Sequence, residues 1–186
     1  SGLPCAVVYA AENDSRAASR LLEACLTYRP SGFDFRVCFS ETVIAKMCSV
    51  VDDTARIRDE DLLPVTNGSP KAFLVEAFDR ILIESKTPPG FQRGLDRFVP
   101  KDDLDPFDQT KFLGHNAIHA MLGYLAKSRG IDFMHEASED SALMERTKET
   151  FLAEAGVGLR KEYANLTDEL FTETGFESYA EDALVR

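Results

Sequence analysis

Nowhere in its 186 residues does the chain contain a G-x-G-x-x-G stretch, a C-x-x-C pair, or an apolar run near the roughly 20 residues that span a bilayer. Each absence removes a class. Without a glycine-rich turn between strand and helix, no dinucleotide fingerprint is present. The nearest approach, Gly156-Val157-Gly158, has no strand before it and no third glycine, and it reads as a helix break. Without paired spacing, Cys5, Cys25, Cys38 and Cys48 read as buried, reduced thiols rather than disulfides or metal ligands. No apolar run suits a transmembrane helix and no signal peptide opens the sequence, so the expected compartment is the cytoplasm. Positive charge is also scarce, with 21 basic against 32 acidic residues and a net charge of −11. That argues against a nucleic-acid binder, which needs a basic footprint, and disfavours attraction to anionic membranes.

What is present suits one globular domain, with 44% hydrophobic and 28% charged residues. Cys5 to Ala10 is a short apolar run that reads as a buried strand. Asp14 or Ser15 is positioned to cap a helix over Arg16–Thr27, with Leu21, Leu22, Cys25 and Leu26 on one face. Pro30-Ser31-Gly32 is a break, and Phe35 to Phe39 alternates as a strand does. Thr42 to Met47 suits a short helix, and the charged residues 52–61 suit a solvated loop. Asn67-Gly68-Ser69-Pro70 is a turn signal, followed by extended structure at Phe73–Val75. Residues 86–108 hold four of the eight prolines and read as a chain of turns within the domain rather than a linker. Helices are expected from about 110 to Gly130, over 133–137, over 141–154 and over 159–172, with Asp108 or Thr110 capping the first. A little strand followed by mostly helix makes the fold class mainly α with a small β-sheet, α+β.

The most informative stretch is Lys111-Phe112-Leu113-Gly114-His115-Asn116-Ala117-Ile118-His119. At about 100° per residue, Leu113, Ala117, Ile118, Ala120, Met121, Tyr124 and Leu125 share one apolar side, while Lys111, His115, His119 and Asn116 fall at about 0°, 40°, 80° and 140°. Phe112 and Leu122 lie within that second arc, and no other charge appears until Lys127. A helix apolar nearly all round is expected to be buried, and burying an ammonium, an amide and two imidazoles requires partners or a ligand. Such groups converging on one concavity are what acid–base chemistry needs. Plainer readings stay open: a snorkelling helix-start lysine, core histidines, and Asn13 as a turn residue.

Lys-x4-Asn-x2-His on an apolar helix resembles the signature of the polyol-specific long-chain dehydrogenases, the mannitol dehydrogenase family, in its mannitol-1-phosphate 5-dehydrogenase-like branch. Lys111, Asn116 and His119 match its three positions. Ala6-Val7-Val8-Tyr9-Ala10-Ala11-Glu12-Asn13 resembles the family's strand ending in an acidic residue and Asn, and Phe73 to Phe78 resembles a segment between the two. The resemblance implies residues 1–14 as the end of a cofactor domain and hinge strand, and 15–186 as the multihelical C-terminal substrate domain, with both ends of the chain cut. It implies NAD or NADP held mainly by the missing domain, no metal, and a polyol or sugar phosphate as substrate. Lys111 would be the general base, Asn116 and Asn13 the oxyanion donors, and His119 and His115 substrate-binding groups. Where the family carries a further Asn and Gly after Asn13, this chain has Ala17 and Ala18. Two other functions compete: a non-catalytic helical domain that binds a sugar or partner, and a zinc hydrolase on the i, i+4 pair His115 and His119.

Overall fold

In this computed structural model residues 5–29, 37–46, 48–76 and 80–185 are described. The expected break at Pro30-Ser31-Gly32, and Phe35, Met47, Ala77 and Phe78, lie outside them. The fold is α+β, with mixed strands followed by helices. The chain divides into two compact units, residues 1–102 and 103–186. That division falls inside the proline-rich stretch of residues 86–108.

In the first unit β1 (Ala6–Ala10) pairs in parallel with β2 (Val37–Val43), from Ala6↔Val37 to Ala10↔Glu41, and α1 (Ala17–Thr27) stands between them in sequence. β5 (Ile81–Glu84) pairs antiparallel with β2 and parallel with β6 (Phe98–Lys101), giving a mixed sheet of order β1-β2-β5-β6. β1 is therefore an edge strand, and its apolar run is half-exposed instead of buried. Tyr9 covers part of it, edge-to-face with Phe98 at 4.7 Å. The short helix expected from Thr42 does not form. Thr42 and Val43 are β-branched and pair with Ile83 and Leu82, so pairing decides the local conformation.

The cap of α1 also differs from expectation. The Asp14 carboxylate accepts from the Arg16 N–H at 3.0 Å and pairs with Arg20 at 2.6 Å. The helix N–H groups of Ala18 and Ser19 instead donate to the two carboxylate oxygens of Glu41, each at 2.9 Å. A carboxylate there satisfies orphan donors and meets the positive end of the helix dipole. The leucine face is poorly covered: Ala18 is buried, Leu22 and Cys25 half-buried, Leu21 and Leu26 exposed.

A second, two-stranded sheet pairs β3 (Cys48–Val51) antiparallel with β4 (Ala72–Val75), and Pro64 bridges Ala72 outside it. Between the strands, the charged stretch expected as a loop contains α2 (Thr54–Asp59). The overlooked signal is Asp53, whose carboxylate caps Ala55 and Arg56 at 2.8 and 3.3 Å. Ile57 turns inward against Val51 and Ala72. Gly68, with φ +80°, makes the expected turn before β4. All four cysteines are free, as expected, but none is buried: Cys5, Cys25 and Cys38 are half-buried and Cys48 is exposed.

The second unit is two long helical runs packed with a third helix. The first run is α3 (Asp105–Thr110), a π-helical segment π1 (Lys111–Asn116) and α4 (Ala117–Ser128), with right-handed helical angles at each junction. It ends at Gly130, φ +80°, where the Gly130 and Ile131 N–H groups donate to Lys127 and Ala126 carbonyls in a Schellman arrangement. After α5 (Met134–Ala137) comes the second run: α6 (Ser141–Thr150), π2 (Phe151–Gly156) and α7 (Val157–Glu162). Asp140 caps it through the Leu143 N–H at 3.0 Å. The expected break at Gly156-Val157-Gly158 is absent, because Gly156 keeps helical angles of −62° and −43°. A helix ending at Thr172 is also not seen. A 3-10 turn (Glu169–Phe171) intervenes, and Thr172 Oγ1 accepts the Gly175 N–H at 3.0 Å to open α8 (Glu173–Val185). One core joins Ile118, Phe151, Leu159, Phe176 and Ala180; another joins Leu122, Ala126, Ala137 and Leu143.

The glycines of the supposed break should separate on substitution. A Cβ on Gly158 would meet nothing within 4 Å, while one on Gly156 would stand 3.1 Å from the Phe176 ring and 3.2 Å from the Phe151 carbonyl oxygen. Gly158→Ala is expected to stabilise the fold by about 0.5–1 kcal/mol. Gly156→Ala should destabilise it by about 1–3 kcal/mol through overpacking. Urea denaturation of the two variants checks both signs.

Candidate functional site

The helix carrying Lys111 starts earlier than expected. Asp103 Oδ1 accepts the Asp105 N–H at 2.9 Å, and Pro106, lacking an N–H, takes a position where none is needed. Neither Asp108 nor Thr110 is the cap. Thr110 lies inside the helix, buried, its hydroxyl donating to the Pro106 carbonyl at 2.7 Å.

From Lys111 the turn widens. The Ala117 N–H reaches back five residues to the Phe112 carbonyl, the π-helical pattern. The cause is on the neighbouring helices. A Cβ on Gly114 would lie 2.9 Å from the Phe151 ring and 3.0 Å from the Tyr179 ring. Phe151 opens π2, so one π segment seats against the other, and only a glycine admits the ring.

This geometry changes which side of the helix is inside. Gly114, His115, Ile118, Leu122 and Ala126 face the core, whereas Leu113, Ala117, Ala120 and Tyr124, assigned to the apolar side, are exposed, Tyr124 at 80%. Phe112 is 66% exposed. A helix expected to be buried all round thus buries one arc and leaves an apolar arc open. A uniform 100° rotation could not anticipate this, because each wide turn shifts the register of the residues beyond it.

The nominated residues separate accordingly. Lys111 is half-buried at the start of π1. Burial pushes its amine below the ordinary lysine value, and the Asp108 carboxylate opposes that shift. Asn116, the last residue of π1, is exposed. His115 is buried at 8% exposure, against its expected place on the substrate side. Its ring stands edge-to-face with that of half-buried His119, centroids 4.3 Å apart. The second unit therefore holds Lys111, Asn116, His119 and His115 on one stretch of helix, with His115 turned to the core. Asn13 belongs to the first unit, exposed at the bend after β1, its N–H donating to the Glu12 carboxylate at 3.0 Å.

Sequence reasoning missed the part played by Phe151 and Tyr179. The only available signal was Gly114 in an otherwise good helix, which marks a close approach without naming the partner. Among the described residues no group of three or more His, Cys, Asp or Glu side chains could hold a metal ion, so the His115–His119 pair gains no third ligand there. Among the same residues no helix is long and apolar enough to cross a membrane.

No protein-family model matches the chain. A mannitol-1-phosphate 5-dehydrogenase from Halalkalibacterium halodurans is 28% identical over 95 residues, covering 51% of this chain and 25% of that relative. The matched stretch is thus about a quarter of the relative's length.

Gly114→Ala tests the seat on which the site rests. Its Cβ would press on two rings at once, so a loss of about 1–3 kcal/mol is expected, with Phe151 and Tyr179 ring resonances displaced. Thermal denaturation and NMR of the aromatic side chains check this. An unchanged melting temperature would show that the seam has room to spare.

Proposed function

We propose that this chain is part of a polyol dehydrogenase that interconverts a secondary alcohol of a sugar alcohol, phosphorylated or not, and the matching ketone, with NAD or NADP as redox partner of the whole protein. The observation that carries this reading is the similarity to the mannitol-1-phosphate enzyme, taken with the half-buried Lys111.

The chemistry assigned to this chain is proton handling. An ordinary lysine, with pKa near 10.4, is protonated at neutral pH and cannot accept a proton. A desolvated one holds its proton less tightly, and the shift at Lys111 has that sign. Lys111 Nζ takes the proton of the reacting hydroxyl. As that proton leaves, negative charge grows on the substrate oxygen, and the Asn116 side-chain amide, held on the same helix, donates to it. In the reverse direction the protonated Lys111 returns the proton to the alkoxide. His119, half-buried a further turn along, binds a neighbouring substrate hydroxyl. The resemblance assigns a second donor to Asn13. His115, turned inward, takes no substrate role in this reading.

The turn between β1 and α1 does not fit a dinucleotide. It reads Ala11-Glu12-Asn13-Asp14-Ser15-Arg16 without a glycine, and the Glu41 carboxylate already sits on the helix N–H groups where a pyrophosphate would bind. In this reading the chain carries the proton half of the reaction and not the hydride half. Calorimetry of this chain with millimolar NAD or NADP is expected to show no tight binding. Micromolar affinity would overturn this division of labour.

In the longer protein, Lys111→Ala should lower turnover roughly 10²–10⁴-fold, as loss of a general base does, with a smaller change in KM. Partial rescue by small amines is the confirming measurement, and near-normal turnover would defeat the assignment. Asn116→Ala and Asn13→Ala should each cost about 2.7–4 kcal/mol of transition-state stabilisation. The double variant should cost less than the sum if both donors serve one charge; strict additivity would separate them.

A further inference from the structure

Lys111 owes its setting to a residue that sequence analysis did not mark. Tyr179, half-buried on α8, touches the Lys111 turn at two points. Its hydroxyl donates to the Thr110 carbonyl at 3.4 Å, and that carbonyl belongs to the peptide group immediately before Lys111. Its ring edge lies against Gly114, 3.0 Å from where a Cβ would stand. The two contacts sit four residues apart, one at the α-to-π junction and one inside the widened turn. Phe151 and Phe176 hold the Tyr179 ring from its other sides, with centroids at 6.1 and 6.0 Å. The Tyr179 ring is thus packed in an aromatic cluster, and its hydroxyl reaches the carbonyl at the long end of hydrogen-bond distance.

A π turn is a widened stretch in an otherwise tighter helix and persists where surrounding contacts favour it. The Thr110 peptide plane sets φ of Lys111, and with it the direction of its Cα–Cβ bond. A hydroxyl fixed on that plane restrains where the amine stem starts. Misplacement of a reacting group by about 1 Å can cost on the order of a hundredfold in rate.

We infer that Tyr179 is a positioning residue for Lys111, aiming the amine by clamping the first turn of π1 through the Thr110 carbonyl and the Gly114 face. The inference rests on Lys111 as the base for its catalytic consequence, but not for its geometry. Tyr179 touches no reacting atom in this scheme; it acts through the backbone.

The test is Tyr179→Phe, which removes the hydroxyl and keeps the ring. The first readout is independent of activity: reductive ¹³C-methylation of the chain's lysines, with the Lys111 signal assigned from a Lys111→Arg variant, followed by NMR titration. In Tyr179→Phe the Lys111 signal should broaden or move, and its midpoint should rise toward that of the exposed lysines. The other lysine signals should stay in place. A folded Tyr179→Phe chain whose Lys111 titrates as in the parent overturns the inference. If that variant does not fold, 3-fluorotyrosine at position 179 keeps the shape and makes the hydroxyl a stronger donor; a Lys111 signal unmoved by it overturns the inference equally. The second readout is kinetic, in the longer protein: kcat should fall roughly 10–100-fold with KM changed by less. Should Lys111→Ala prove fully active while Tyr179→Phe still moves the Lys111 signal, the base assignment fails and the positioning role stands.

Discussion

The core around Ile118 in the second unit is built on a ring of Phe151 lying against the backbone of Gly114. That approach seats one long helical run on the other, and each run carries a π segment there. A glycine in a helix interior costs about 1 kcal/mol relative to alanine, so it is retained where the space is needed. Gly156 repeats the arrangement, with the Phe176 ring in the role that Phe151 plays at Gly114. The two wide turns and the aromatic cluster of Phe151, Phe176 and Tyr179 form one packed seam. Lys111 and Asn116 sit at its margin, and so does the inward His115.

This arrangement gives the helix surface two characters. The arc from His115 through Ile118 and Leu122 to Ala126 carries the packing. The opposite arc carries Asn116 among exposed apolar side chains, and Lys111 stands half-buried at the start of the wide turn. An amine there is half-buried and loses enough water to hold its proton less tightly. The proposed reading of Lys111 as a base draws on the similarity to a mannitol-1-phosphate 5-dehydrogenase. That similarity runs through a stretch that spans only a quarter of the relative.

Local signals in the sequence were reliable where one residue type dictates the backbone. Gly130 stops α4, Gly68 turns before β4, and Asp140 caps α6, each for a reason readable without a fold. They failed where distant residues decide. Thr42 and Val43 become strand because Ile83 and Leu82 pair with them. Asp14 loses the helix cap to Glu41, far along the chain on β2, and Gly156 passes through a helix because Phe176 covers it. The key helix shows the same limit at the site itself. Lysine, asparagine and histidine were legible as chemistry, and the short span from Lys111 to His119 placed them on one element. Their facing was not legible, since the wide turn is set by Phe151 and Tyr179. Asn13 lies in the first unit, at the bend after β1.

The small β3–β4 sheet carries several of the exposed apolar side chains of the first unit, with Val50, Phe73 and Val75 beside Cys48 on the side away from Ile57. A ribbon of two strands is all edge, and an open edge is a template for another chain. On the β4 side the next residue along is Pro64, bridged to Ala72. The Val65 N–H closes that bridge on the Lys71 carbonyl at 2.9 Å, and the proline ring offers no amide hydrogen to a further strand at its position. One imino acid thus removes a donor from that margin, and it disfavours a foreign strand there by covalent chemistry instead of by charge.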